Sequence, residues 1–342
     1  MFSMRAVKNL LVLYTGGTIG MLETPEGLAP AGGFDARMRE HFAQMADAPQ
    51  LQWTLQEMNP LLDSANMQQH NWLAMRDAIV EAVDVAGHDG VLVLHGTDTL
   101  AYSAAALSFL LLGLPIPVLL TGSMLPAGVP GSDAWDNLCG ALRQCEQGLE
   151  EGVQLYFHGQ LLHGCRASKL RSEAFDAFAA LPRHRDGERA TALPAELGYK
   201  HPRQPVNLAL MPVFPGLQAG HLRALLDSGV QGLLLECYGS GTGPSDDQAL
   251  LDALQAARQR GVMLVAISQC PEGSVVFDTY AAGNRLRGAG LVSGGGMTRE
   301  AALGKMFALL GAGLDAAAAE QWFALDLCGE RGCSAKSPEQ SE

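Results

Sequence analysis

The 342-residue chain reads as an α/β protein of two domains, and three observations carry that reading. Short apolar runs at Leu10–Tyr14, Val91–Leu94, Val118–Leu120 and Val153–Phe157 have the pattern of strands buried on both faces. These runs alternate with helical segments, the arrangement that builds a parallel sheet covered by helices. The pattern breaks at 182–206, where Pro, Arg, His, Asp and Gly dominate, and a second α/β pattern begins near Leu208. We therefore expect a domain over 1–187, a linker over 188–207, a second domain over 208–329 and a polar, disordered tail over 330–342.

Taken in order, the first strand ends in Thr15-Gly16-Gly17-Thr18-Ile19-Gly20, with Thr15 the first residue past it. In open α/β sheets ligands bind outside the carboxyl ends of strands. A Gly/Pro-rich stretch over 24–33 reads as a long loop, either a lid or a plain connection. A helix is expected near 34–47 and a strand over Leu51–Met58. Asp63 or Ser64, in Asp63-Ser64-Ala65-Asn66-Met67, is placed to cap the next helix, which carries Trp72, Met75, Ile79 and Val83 at helical spacing. The strand Gly90–His95 ends in Gly96-Thr97-Asp98-Thr99, and the strands at 117–121 and 153–157 end in Gly122-Ser123 and His158-Gly159. Right-handed crossovers put these ends on one edge, so the Thr15 and Thr97 turns share a crevice. In the second domain, strands are expected at 232–237 and 262–268 and helices at about 246–259 and 298–312.

Composition excludes several classes. A hydrophobic fraction of 48% with 17% charged residues describes a globular protein with a substantial core. A net charge of −13 predicts no binding to nucleic acid or to an anionic membrane. The apolar run after Arg5 and Lys8 is too short for a signal-peptide core, and no stretch reaches the length of a transmembrane helix. Seven cysteines without a C-x-x-C pair read as reduced thiols of a cytoplasmic protein.

Motifs narrow the chemistry further. A dinucleotide fingerprint ending at Gly20 needs glycine at position 15, which is Thr, and no strand-end acid follows at the required distance. There is no G-K-[ST] P-loop and no G-x-S-x-G elbow, and no spacing builds a metal site; no cofactor is expected. His95 and His158, at strand ends, read as satisfying local backbone groups. What remains is a threonine-centred site. A hydroxyl needs a base and an oxyanion stabiliser to act as a nucleophile. Thr15 and Thr97 lie on neighbouring turns, and Asp98 supplies a carboxylate. Lys169, in Cys165-Arg166-Ala167-Ser168-Lys169, is the candidate base, although spacing alone reads it as a solvated surface lysine.

Tyr14-Thr15-Gly16-Gly17-Thr18-Ile19-Gly20-Met21 and Leu94-His95-Gly96-Thr97-Asp98-Thr99 resemble the two signatures of the bacterial L-asparaginase (asparaginase/glutaminase) family, in its cytoplasmic type I form. The likeness extends over nearly the whole chain, through Asp63–Met67, Thr121–Ser123, Ser132-Asp133, Asn137-Leu138, Ala167–Lys169, Phe175–Phe178, Tyr238-Gly239 and Met297-Thr298. It implies a larger N-terminal parallel-sheet (flavodoxin/Rossmann-like) domain and a smaller C-terminal α/β domain. It also implies a homodimer or homotetramer with sites near the subunit interface, where the Tyr238–Pro244 loop reaches a neighbour's site.

The implied reaction is hydrolysis of L-asparagine to L-aspartate and ammonia. Thr15 attacks the amide carbon to form an acyl-enzyme, and Thr97, Asp98 and Lys169 handle protons; Thr97 is alternatively the group that activates water in the second step. Asp63, Ser64 and Ala65, with Thr97 and Asp98, match the positions that bind substrate. Two departures stand out. Leu28 occupies the position of a loop tyrosine, and Glu236 that of an arginine that binds an allosteric effector in some type I enzymes. The alternative readings are a glutaminase-leaning amidohydrolase, the amidase part of a tRNA-dependent amidotransferase, and a non-catalytic effector-binding protein.

Overall fold

A computed structural model describes residues 4–332. The chain divides into two compact units, one running to Ala180 and one beginning at Leu181.

The first unit comprises β1 (Asn9–Gly16), β2 (Met21–Thr24), β3 (Gly27–Pro30), α1 (Phe34–Ala43), β4 (Gln52–Leu62), α2 (Gln69–Asp84), β5 (Gly90–Leu94), α3 (Leu100–Leu110), β6 (Pro117–Thr121), α4 (Ala134–Gln147), β7 (Gly152–Phe157), β8 (Gln160–His163), β9 (Ala167–Lys169) and β10 (Phe178–Ala180). Its six-stranded sheet has the order β4-β1-β5-β6-β7-β8. Five strands run parallel and β8 is antiparallel to β7. β1, β5 and β6 lie in the middle of the sheet, and from Leu10 onward every residue of β1 is buried, as is all of β5 and β6. That double burial is why their sequences are apolar throughout rather than alternating. α3 is buried on nearly all sides and is built from small and apolar residues, a composition that fits a helix with no solvent face.

Several expectations shift in detail. The stretch over 24–33 is not an open loop. It folds as a hairpin with β2 paired antiparallel to β3 around the turn at Pro25-Glu26, and Leu28 lies opposite Glu23. Gly27 takes φ 115°, which the turn needs and a side chain would oppose. The four-residue strands are too short for their alternation to register against the Gly and Pro content. β4 continues past Met58 to Leu62, with Pro60 accommodated because β4 is an edge strand. Neither Asp63 nor Ser64 caps α2: Asp63 caps the single 3-10 turn Ser64–Asn66, its Oδ1 accepting from Ala65 N at 3.1 Å. Gln68 and Asn71 form the reciprocal cap of α2.

The second unit comprises β11 (Leu208–Pro212), α5 (Ala219–Leu226), β12 (Gly232–Cys237), α6 (Gln248–Gln259), β13 (Met263–Ser268), α7 (Ala281–Gly288), β14 (Val292–Ser293), α8 (Arg299–Gly311) and α9 (Ala316–Ala324). Its sheet, β11-β12-β13-β14, is parallel throughout. Residues 188–207, expected as a linker, are bonded into this unit. Ala190 N donates to Asp326 O, Gln204 N to Gly311 O, and the buried Arg203 Nε to Ala308 O at 3.0 Å. The start of the expected tail is likewise built in. Glu330 and Lys305 are both fully buried and paired at 2.5 Å; Lys305 also donates to Phe323 O and Leu325 O. The Glu330 carboxylate accepts from Leu327 N and Cys328 N. A buried ammonium on α8 requires a buried anion, and residue 330 supplies it. The rest of the expected tail, 333–342, lies outside the described residues.

Candidate active site at the sheet edge

Four chain turns meet where the strands of the first unit end. Gly17 N donates to Leu62 O at 3.0 Å, tying the β1 turn to the end of β4. His95 N donates to Thr121 O at 2.9 Å, tying the β5 turn to β6. Glycine is what lets them cross so closely. A Cβ on Gly16 would lie 2.3 Å from Leu62 O, on Gly17 2.3 Å from Gly96 N, on Gly96 2.5 Å from Ser64 Oγ, and on Gly122 2.2 Å from His95 O. The Gly122 turn is itself held. The buried Asn137 donates to Gly122 O and accepts from His158 N, while Asp133 takes Met124 N and Leu125 N.

Onto this floor the structure brings the residues singled out from the sequence. Thr15 is buried, and its hydroxyl donates to Leu94 O at 2.9 Å. Thr97, also buried, accepts from Lys169 Nζ at 3.0 Å, and the same ammonium donates to Asp98 Oδ1 at 2.8 Å. Lys169 is therefore not a solvated surface lysine: its side chain is 19% exposed, against 60% for Asp98. It arrives on β9, which pairs antiparallel with β10 after the chain has reversed through β8. Ser64 is buried beneath Gly96, and its carbonyl accepts from Thr99 Oγ1 at 2.8 Å; Asp63 and Ala65 beside it are exposed. Thr15, Thr97, Asp98, Lys169, Asp63, Ser64 and Ala65 thus all belong to turns or strands along this edge. The set offers two hydroxyls, an ammonium bridging a hydroxyl and a carboxylate, and backbone N–H groups of tight turns, the groups that nucleophilic acyl transfer requires.

Tyr14 points the other way, as strand alternation demands. Its ring stacks on Phe34 at 5.2 Å, and its hydroxyl donates to Ala31 O at 3.1 Å. Burial pushes its pKa up to about 12. Arg37 donates to Gly20 O at 3.0 Å and to Ala31 O at 3.4 Å, so both ends of the β2–β3 hairpin are fastened at its base. In the second unit, Glu236 is buried in a two-point ion pair with Arg299, Nε to Oε1 at 2.6 Å and Nη2 to Oε2 at 2.9 Å.

Sequence reasoning passed over one set of groups. His95 is fully buried between Gly96 O, 2.7 Å from Nδ1, and Ser103 Oγ, 2.8 Å from Nε2; Trp72 Nε1 donates to the same hydroxyl at 2.9 Å. The bond to Gly96 is the local backbone contact expected of a strand-end histidine. Ser103 lies one turn into α3 and Trp72 on α2, and nothing in their spacing joins them to His95.

The chain is similar to known proteins over nearly its whole length. Residues 9–192 match the family model described as "Asparaginase, N-terminal", and residues 207–323 match "Glutaminase/Asparaginase C-terminal domain". L-asparaginase 1 of Escherichia coli K12 is 36% identical over 94% of this chain and 98% of its own. The 60 kDa lysophospholipase of Mus musculus is 34% identical over 94% of this chain, which spans 62% of that larger protein. The thermostable L-asparaginase of Thermococcus kodakarensis superposes with a TM-score of 0.81 at 32% identity, covering 95% of this chain and 100% of that one. With both family models matched in order and the strand-end threonines, aspartate and lysine gathered at one edge, the chain belongs to the asparaginase family.

Proposed function

We propose that this chain is an L-asparagine amidohydrolase that releases L-aspartate and ammonia through a threonine acyl-enzyme. The observation that carries the reading is the junction at Lys169 Nζ, 3.0 Å from Thr97 Oγ1 and 2.8 Å from Asp98 Oδ1, although 72 and 71 residues separate them in sequence. A surface lysine has no reason to be held this way.

In this reading Thr15 Oγ attacks the side-chain amide carbon. The C–N bond breaks, the nitrogen takes up a proton and leaves as ammonia, and water then cleaves the ester. Thr97, Lys169 and Asp98 form the path by which protons leave the attacking oxygen and return to the leaving group. Backbone N–H groups of the glycine turns meet the charge that develops on the amide oxygen. Asp63 and Asp98 suit the substrate's ammonium; Ser64 and the N–H groups near Ala65 suit its carboxylate. The preference for asparagine over glutamine rests on the relatives, since one methylene is worth only about 1–3 kcal/mol of discrimination. We take the working form to be a cytoplasmic homodimer or homotetramer, which light scattering would measure. Among the described residues no helix is long and apolar enough to cross a membrane.

The test is ammonia release from L-asparagine and L-glutamine. Wild type is expected to favour asparagine. Thr15→Ala should lose about 10³-fold or more in kcat, and Lys169→Met about 10²-fold or more. No ammonia from either substrate would overturn the amidohydrolase reading. Undiminished release by Thr15→Ala would overturn the role of Thr15.

A further inference from the structure

The buried histidine at the end of β5 forms part of a chain of hydrogen bonds whose direction is forced. The indole N–H of Trp72 can only donate, so it donates to Ser103 Oγ at 2.9 Å. The carbonyl of Gly96 can only accept, so the proton of the His95 ring lies on Nδ1, 2.7 Å away. A neutral ring then leaves Nε2 bare, and it accepts the Ser103 hydroxyl at 2.8 Å. Burial keeps the ring neutral, with a pKa pulled down to about 4. Every polar atom along the line Trp72, Ser103, His95, Gly96 has its partner, and the tautomer is fixed by groups on three separate elements.

The last bond lands on the peptide that carries Thr97. That peptide is trans, so its N–H points away from the carbonyl that His95 holds. Among the described residues the Thr97 N–H meets no acceptor, whereas the Thr97 hydroxyl faces Lys169. We propose that His95 is a positioning residue that draws the Gly96 carbonyl inward and thereby aims the Thr97 N–H at the oxygen that gains charge during amide attack, with Ser103 and Trp72 fixing its tautomer. The identity of that oxygen rests on the proposed hydrolase reading; the locked peptide does not.

Two substitutions separate positioning from packing. Asparagine at 95 keeps an N–H donor close to where Nδ1 lies, whereas glutamine carries its amide further out, toward Nε2. His95→Asn is expected to retain kcat within about threefold. His95→Gln should lose about ten- to a hundredfold in kcat, less than outright removal of an oxyanion donor, with KM within about threefold. Ser103→Ala, which leaves the bond to Gly96 in place but takes away the hydroxyl that holds Nε2, should lie between them and serves if neither His95 variant folds. Equal activity, or equal loss, in the two His95 variants overturns the proposal, as does a wild-type rate in His95→Gln.

A second measurement does not depend on turnover. In ¹⁵N-histidine-labelled protein, one ring should carry its proton on Nδ1, stay neutral from about pH 5.5 to 8 where an ordinary histidine titrates, and vanish in His95→Asn. A proton on Nε2, or titration near pH 6.5, overturns the proposal. If wild type releases no ammonia, the hydrolase reading falls and this measurement alone decides the locked peptide.

Discussion

Replacing Gly96 by alanine tests whether the site floor is as crowded as its geometry implies. The new Cβ would stand 2.5 Å from Ser64 Oγ, 2.7 Å from Ser64 Cβ and 3.2 Å from Gly17 Cα. Carbon atoms pack at about 3.5–4.0 Å, so the Gly96 and Ser64 turns must part by about 1 Å. Ser64 is 3% exposed, and its carbonyl is held by Thr99, so it has little room to retreat. Over-packing of this kind costs about 1–3 kcal/mol, and a displacement of about 1 Å at reacting groups costs about 10²-fold in rate. We therefore expect kcat/KM for L-asparagine to fall about 10²-fold and the urea midpoint to drop. Gly128→Ala is the matched control. Nothing lies within 4 Å of its added Cβ, and stability should change by less than about 0.5 kcal/mol. Adding Ser64→Gly to Gly96→Ala removes both colliding atoms and should restore most of the stability without restoring activity. A Gly96→Ala protein with wild-type rate and midpoint would refute the argument.

Two further outcomes follow from buried charge. Lys305→Met strands the fully buried Glu330 carboxylate and should cost the second unit about 3–5 kcal/mol, read from Trp322 fluorescence in urea; Lys305→Met with Glu330→Leu should recover much of it. His95 has a folded pKa of about 4 against an ordinary 6.5, so below pH 6.5 the unfolded chain binds a proton that the folded chain refuses. Its contribution to stability is complete above pH 6.5 and is lost as pH falls toward 4. The loss is about 3 kcal/mol, and it should be absent from His95→Asn, as urea titrations across that range would show.

The architecture of the first unit was legible because its central strands are buried on both sides and so leave uninterrupted apolar runs. The threonine turns were legible for the same reason: they are the polar residues that end those runs. Lys169 was ambiguous in sequence because its strand is three residues long and follows a reversal of direction that short runs do not announce. The hairpin at Leu28 was missed because its turn residues outweigh its brief alternation. Residues 188–207 look like a linker by composition, yet Arg203 and its neighbours find their partners in backbone carbonyls more than a hundred residues away. Glu330 was assigned to a tail because nothing local reveals that Lys305, 25 residues earlier in α8, is buried and needs an anion. The ring of His95 was read as satisfying the backbone, which it does; that this bond also orients a peptide depends on contacts from α2 and α3.

The interlocked glycine turns also constrain how the site can move. Because each turn fills space that a neighbour's Cβ would need, none of the four can swing out without lifting another. Opening at the strand ends must then be collective, with exchange of the bonded amides of Gly17 and His95 as slow as that of the sheet itself. The β2–β3 hairpin is different. It is held at Gly20 and Ala31 but carries an exposed Leu28 near its tip. Any movement of the hairpin would therefore be the bending of a short ribbon about a fixed base.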